Sequence, residues 1–305
     1  MKLGISLASH HRVVDPRVGA RMMIERAAQA RQAQLDTLFI GDHHSTAEPY
    51  YQNSPMLGRL LAEWPDRPVG ALYLLPLWHP VLLAEQIATL ASIAGSRFIM
   101  QCGLGGEARQ AAAMGTQLQH RAGMFEASLT LMQALWRGEE VSEERYWKIE
   151  RARISPLPPE SIEVWIGSVA QPAINRTARM ADGWLASPGL TPPQAADSLN
   201  RYRQACAEHG TEPTATAIRR DIFIGKSSRE ANAVVTPYID GGYRGMDPDA
   251  LMYGDVDSVA EQLTQLQQMG FSDVIVRNLS SDQSDALATI ERLAEVKALL
   301  APGAP

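Results

Sequence analysis

Cysteine is scarce in this chain of 305 residues: Cys102 and Cys206 are the only two. They form no CxxC pair, and one long separation builds no disulfide framework, so a thiol-bound metal and a stapled secreted scaffold are both excluded. Basic runs are missing as well. The net charge is -6 and the sequence pI about 5.7, which argues against a nucleic-acid partner. Long apolar runs are absent, none approaching the 18 or so residues that would cross a bilayer, so no membrane segment is expected. The opening Met1-Lys2-Leu3-Gly4-Ile5 enters a strand pattern directly, without the apolar core and small-residue cleavage site of a secretory leader. Together these absences set the expectation of a cytoplasmic protein.

Apolar material is plentiful, at 45% of residues against 20% charged, enough for a sizeable core. Its pattern alternates between short strand-like runs and helical periodicity. Lys2–Ala8 reads as a strand, and Val18–Ala33 as a helix with Val18, Met22, Met23, Arg26, Ala27 and Ala30 on one face. Leu38–Ile40 closes a strand-helix-strand unit. The unit then recurs: a helix over Met56–Trp64 and a strand over Val69–Leu75; a helix over Pro80–Ile93 and a strand over Phe98–Cys102. Helices follow over Glu107–Met114 and Arg121–Arg137, and Gly138–Ser155 reads as a small hairpin excursion. The later strands fall at Val164–Ile166, Gly183–Ala186, Ile218–Gly225 and Val274–Arg277. The later helices span Gln171–Met180, Pro192–Glu208, Arg229–Ile239, Val256–Met269 and Asp285–Leu300. Gly241–Gly254 reads as an irregular loop.

Eight strands spaced mostly about 20–35 residues apart, with helices between them and no dividing linker, predict an α/β fold: one (β/α)8 TIM-type barrel over residues 1–300, with insertions after strands four and seven. Residues 301–305 read as a frayed tail. Barrel chemistry sits at the C-terminal ends of the strands, which would place His10, His43, Gly103, Ser168 and Pro188 on one rim.

Three strand ends stand out. Asp42-His43-His44 follows the second strand, and histidine serves either acid–base work or metal binding. A metal site needs converging ligands, and the strand ends at Gly167-Ser168 and Leu185-Ala186-Ser187 offer no histidine, so no metal is expected. Gly103-Leu104-Gly105-Gly106 after the fourth strand is either a loop that lets a ligand approach the backbone or a tight turn. Gly167-Ser168-Val169-Ala170-Gln171 is either an anion site made of N–H groups, a hydroxyl and a helix start, or an ordinary cap with Ser168 as its capping residue. Trp78-His79-Pro80 could line a pocket but reads rather as a helix entry, and Cys102 as a buried small hydrophobe.

In order, Leu35-Asp36-Thr37-Leu38-Phe39-Ile40-Gly41-Asp42-His43-His44, Leu75-Pro76, His79-Pro80-Val81, Ala84-Glu85-Gln86-Ile87-Ala88-Thr89-Leu90, Gly95-Ser96-Arg97-Phe98, Gly103-Leu104-Gly105, Leu135-Trp136-Arg137-Gly138, Trp165-Ile166-Gly167-Ser168 and Ala178-Arg179-Met180-Ala181-Asp182-Gly183-Trp184 resemble the bacterial luciferase-like flavin monooxygenase family. The resemblance implies a (β/α)8 barrel that binds reduced FMN, or the deazaflavin F420, at its C-terminal rim. It implies His43 as the catalytic histidine and Leu72 and Tyr73 under the flavin ring, joined by a non-prolyl cis peptide. Gly103 and Leu104 would line the cofactor, and Gly167, Ser168, Val169 and Gln171 would hold its phosphate. Many FMN-using members carry an arginine where this chain has Leu104, and Glu107 places an acid close to the expected cofactor. The activity implied first is a two-component monooxygenase that takes reduced FMN from a separate flavin reductase and acts with O2 on a small organic substrate. An F420-dependent hydride-transfer dehydrogenase or reductase on the same scaffold is the alternative, and a non-catalytic flavin-binding relative is the third. The family further implies a homodimer.

Overall fold

The computed structural model describes residues 1–301, so nearly all of the expected tail lies outside the described residues. The strands are β1 (Lys2–Leu7), β2 (Leu38–Ile40), β3 (Val69–Leu74), β4 (Phe98–Gly103), β5 (Val141–Glu143), β6 (Ile149–Ala152), β7 (Glu163–Gly167), β8 (Gly183–Ala186), β9 (Ala215–Ile224), β10 (Met252–Gly254) and β11 (Asp273–Asn278). The helices are α1 (Pro16–Gln32), α2 (Asn53–Leu60), α3 (Pro80–Ile93), α4 (Ala108–Ala113), α5 (Arg121–Trp136), α6 (Gln171–Met180), α7 (Pro192–His209), α8 (Ser228–Asp240), α9 (Val256–Met269) and α10 (Gln283–Leu299).

Eight parallel strands close into a ring in the order β1, β2, β3, β4, β7, β8, β9, β11, with β11 returning to β1. This is the (β/α)8 barrel that the strand count predicts. Hydrogen bonding around a closed ring leaves no free edge, and alternate residues on each strand point to opposite sides. Leu3, Ile5, Leu7, Met100, Cys102, Val274 and Val276 face the helices, while Phe39, Ile99, Trp165, Ala215, Ala217 and Ile275 pack together inside the ring. Gly70 is required at that inner layer: a Cβ there would lie 1.9 Å from the Ile99 carbonyl oxygen. Trp165 fills the space, and its indole N–H donates to Glu163 Oε1 at 2.8 Å.

Local signals set the helix ends. Pro16 opens α1 behind Asp15, whose carboxylate accepts from the Arg17 N–H at 2.9 Å. Gln194 accepts from the Thr191 N–H at the start of α7, and Gly210, at φ 65°, ends that helix in the left-handed conformation.

Four expectations shift. The region 241–254 is not wholly irregular: two 3₁₀ turns lead into β10, which pairs in parallel with the upper part of β9 outside the ring. Three residues beside glycines carry too little pattern to announce a strand. The seventh barrel strand begins at Ala215 rather than Ile218, because Ala215-Thr216-Ala217 is held by ladder bonds to β8 and β11 and not by strong propensity. The helix expected over Met56–Trp64 runs from Asn53 to Leu60, its first turn being fixed by contacts to the site described below. The Leu72–Tyr73 peptide is trans; the one cis bond among the described residues is Ser155–Pro156. A non-prolyl cis bond costs roughly 3–4 kcal/mol, and here Leu72 and Tyr73 continue the ladder to Gln101 and Cys102 undisturbed. The expected hairpin forms as β5 and β6.

Candidate active site

Above the packed inner layer, the next inward-pointing residues are partly open: Ser6, Leu72, Leu74, Gly103, Leu185, Arg219 and Arg277 are all intermediate in exposure. The barrel therefore ends in a cup on its C-terminal side, with Phe39, Ile99 and Trp165 as its floor.

One wall is built on Asp42, which follows β2. Its side chain is fully buried. Oδ2 accepts from the Leu74 N–H at 2.8 Å and the Trp78 indole N–H at 2.9 Å; Oδ1 accepts from Asn53 Nδ2 at 3.3 Å. His44 Nε2 lies 3.0 Å from Oδ1 without hydrogen-bond alignment, and its ring packs edge-on against Trp78. Asn53 Nδ2 also donates to the Leu72 carbonyl at 2.8 Å. Asp42 thus ties the ends of β2 and β3 to the first turn of α2. A buried carboxylate is tolerated only when so provided with donors.

His43 points the other way, into the cup, with a third of its side chain exposed. Gln110 on α4 sets its tautomer. Gln110 Nε2 donates to the His44 carbonyl at 3.2 Å, which fixes the amide orientation, and lies 2.8 Å from His43 Nδ1. Nδ1 is therefore an acceptor, and in the neutral ring the proton sits on Nε2. Nε2 lies 3.9 Å from Glu107 Oε2, at the end of the glycine loop after β4. Tyr50 packs against the His43 ring, with centroids 5.6 Å apart. Its hydroxyl sits over Gly41, where a Cβ would come within 2.7 Å. Burial, then the negative Asp42, push the Tyr50 phenol up to about 12, so it stays protonated.

The structure brings Leu72, Tyr73, Gly103 and Leu104 to the same wall. Leu72 and Leu74 present apolar side chains to the cup, while Tyr73 is fully buried behind them, its hydroxyl 3.4 Å from Ser54 Oγ. Gly105 takes φ 67°, and nothing stands within 4 Å of a Cβ built at Gly106, so the loop leaves open space beside Leu104. The Ser168 hydroxyl is buried and 2.9 Å from Thr177 Oγ1, and the Ser168 carbonyl accepts from the Trp184 indole. At that turn the donors left for an anion are main-chain N–H groups of Val169 to Gln171, at the start of α6. Gln171 itself bonds to Asn175. Arg201 of α7 reaches the Val169 carbonyl at 3.4 Å and adds a cation there. Burial raises the Cys102 thiol well above its ordinary range, which makes it an inert core residue. Among the described residues no cluster of three metal-ligating side chains occurs, and no helix is long and apolar enough to cross a membrane.

Sequence reasoning missed Asn53, Tyr50, Gln110 and Arg201. Trp78 is half-buried at the helix entry, as expected, but it also serves Asp42. None of these belongs to a local motif with His43. Asn53 and Gln110 stand 10 and 67 positions from it, so only the fold joins them.

A platform of Leu72 and Leu74, an open glycine loop and free N–H groups at a helix start suit a flat tricyclic ring with a phosphorylated tail. The residues therefore fit a flavin or deazaflavin. An F420-dependent glucose-6-phosphate dehydrogenase from Nakamurella multipartita is 27% identical over 194 residues, covering 59% of this chain and 56% of that protein. The chain thus spans a little over half the length of the curated relatives it matches. A monooxygenase from Streptomyces bottropensis superposes with a TM-score of 0.84 at 16% identity, over 97% of this chain and 98% of the other. The oxygenating constituent of 3,6-diketocamphane monooxygenase from Pseudomonas putida, solved with FMN, does so with a TM-score of 0.82 at 19% identity, over 97% of each chain. The family model of luciferase-like monooxygenases matches residues 1–275, and the chain belongs to that family.

Proposed function

We propose that the protein is an oxidoreductase that moves hydride between F420 and a small alcohol or carbonyl substrate. The observation that carries this reading is the Glu107 carboxylate 3.9 Å from His43 Nε2. Oxidising an alcohol releases a hydroxyl proton as well as a hydride, and the proton needs an acceptor within reach. Because Gln110 occupies Nδ1, His43 faces the cup through Nε2–H as a donor. His43 then orients the substrate oxygen through Nε2–H, and Glu107 takes the proton. In the reverse direction Glu107 returns the proton to the carbonyl oxygen that His43 Nε2–H holds. F420, when bound, supplies the two-electron hydride acceptor or donor. Leu72, Leu74 and Leu104 would hold its ring, and the Val169–Gln171 N–H groups with Arg201 its phosphate.

Glu107 also orders the two readings. Oxygen activation on reduced FMN calls for an apolar, water-poor pocket. Here a side chain two-thirds exposed carries a charge to the edge of the histidine. Leu104 in place of an arginine points the same way, as do the F420-dependent curated relatives. A separate reductase and O2 belong to the FMN reading, whereas a homodimer is compatible with either.

Titration of the purified protein with F420, followed by quenching of tryptophan fluorescence, tests this. Saturable binding of F420 with none of reduced FMN is expected. Binding of reduced FMN, with substrate-dependent O2 uptake and no response to F420, would reverse the order.

A further inference from the structure

The wall of the cup opposite His43 is cationic and unsatisfied. On β9 the inward face carries Ala215, Ala217, Arg219 and Asp221, and on β11 it carries Ile275 and Arg277. Asp221 lies directly across the ladder from Arg277, and Arg219 across from Ile275. Asp221 is fully buried; it accepts from the Tyr243 hydroxyl at 2.8 Å, and Arg244 Nη1 stands 3.7 Å away. Arg219 Nε approaches Asp221 Oδ1 at 3.2 Å but is not aligned with it. Both Nε and Nη2 of Arg219 are buried without a hydrogen-bond acceptor. Across the cup, Gln101 on β4 is 5% exposed, and its Nε2 is likewise buried without an acceptor. By strand alternation Gln101 stands on the inner face directly above Ile99.

Two guanidinium groups, of Arg219 and Arg244, approach the one Asp221 carboxylate, Arg277 stands across the ladder from it, and three buried donor atoms lack acceptors. A guanidinium or amide N–H taken out of water without an acceptor is destabilising. Such a wall is stabilised by a ligand that brings oxygen acceptors and negative charge, and a guanidinium fork matches an oxyanion in two bonds. Both walls rise from inward faces of the same closed ring, so they face one space.

We propose that Arg219, Arg277 and Gln101 form an oxyanion subsite that holds the carboxylate or phosphate ester of a small organic substrate, with its reacting carbon toward His43. The subsite rests on the reading that the cup takes substrate beside a cofactor on the Leu72–Leu74 wall.

Calorimetric titration of the full chain with benzoate, phenyl phosphate and benzamide tests it. At least one anion should bind roughly tenfold or more tightly than neutral benzamide, and Arg277→Gln should reduce that preference to about twofold or less. Arg219→Lys, which keeps a cation beside Asp221 but loses the fork, should also lower the preference, so the result does not depend on one variant folding. Tighter benzoate marks a carboxylate substrate, and tighter phenyl phosphate marks a phosphate ester. Equal binding of benzamide, no binding of any probe, or an unchanged preference in Arg277→Gln overturns the subsite. F420 titration of the same variant separates the two claims. Arg277→Gln should bind F420 as the parent does. A parallel loss of F420 would assign Arg277 to the cofactor, and the subsite would fall while the hydride-transfer reading stood. Anion preference without any F420 binding would do the opposite.

Discussion

The two walls of the cup hold buried carboxylates in opposite conditions. Asp42 has three aligned donors, from Leu74, Trp78 and Asn53, and each donor comes from a different element. Asp221 has one aligned donor, Tyr243, and two guanidinium groups that approach without closing a hydrogen bond. The Asp42 carboxylate is satisfied as it stands, and its rigidity fixes where His43 points. The second keeps donors in reserve. A site that must hold one group still while accepting another needs both conditions, and here they are divided between the surroundings of Asp42 and those of Asp221.

The sharpest way to break this contrast is Asp42→Asn. Oδ2 faces the Leu74 and Trp78 N–H groups and Oδ1 faces Asn53 Nδ2, so either orientation of the new amide sets N–H against N–H. A loss of about 3–5 kcal/mol in urea unfolding is expected. Gln101→Leu, at a buried donor on β4 that has no partner, should stay within about 1 kcal/mol of the parent. If the two losses came out equal, satisfied and unsatisfied buried groups would not differ in the way described.

The same contrast explains what was legible in the sequence. His43 announces itself because a strand-length apolar run, Leu38–Ile40, stops one glycine before Asp42 and His43. Barrel strands are buried on both faces, so Val69–Leu74 and Phe98–Gly103 show as near-continuous apolar runs. Asn53 and Gln110 are invisible in sequence, and so is the bond of Trp78 to Asp42, because each meets Asp42 or its histidine neighbours only after strands and helices have been stacked. Arg219 and Asp221 are hidden for another reason. Inward and outward residues alternate on β9, so Arg219, Arg220 and Asp221 read as one charged interruption, although Arg220 faces the opposite side and donates to the Pro188 carbonyl. The trans Leu72–Tyr73 bond shows the limit of resemblance, since a family's backbone feature is carried by surroundings rather than by the two residues themselves.

A smaller effect probes the satisfied wall through pH. His11, just beyond β1, is buried; its Nε2 donates to the Ala8 carbonyl at 3.0 Å, and its ring packs edge-on against Tyr51. Burial, and then the positive Arg26, lower its pKa from 6.5 to about 4. Between those values the unfolded chain binds a proton that the folded chain refuses, so stability falls as pH drops from 6.5 toward 4. The loss attributable to this group is on the order of 2 kcal/mol. His11→Gln keeps a neutral donor and should flatten that part of the pH–stability curve. A curve that kept the same slope in this variant would place the acid sensitivity elsewhere.

The smallest expected effect concerns α2, which carries Asn53 to Asp42. Gly58 lies in its interior with ordinary helical φ, and a Cβ there would meet only Leu90 Cδ2, at 3.8 Å. That is van der Waals contact rather than a clash. Gly58→Ala should therefore stabilise the protein by about 0.5–1 kcal/mol, chiefly by narrowing the unfolded ensemble. If the Asp42 wall is already rigid, F420 affinity should not change with it, because Asn53 is held at three points by Asp42, Leu72 and Ser54. A gain in affinity together with the gain in stability would mean that α2 still moves in the parent protein, and that the wall around His43 is less settled than its hydrogen bonds indicate.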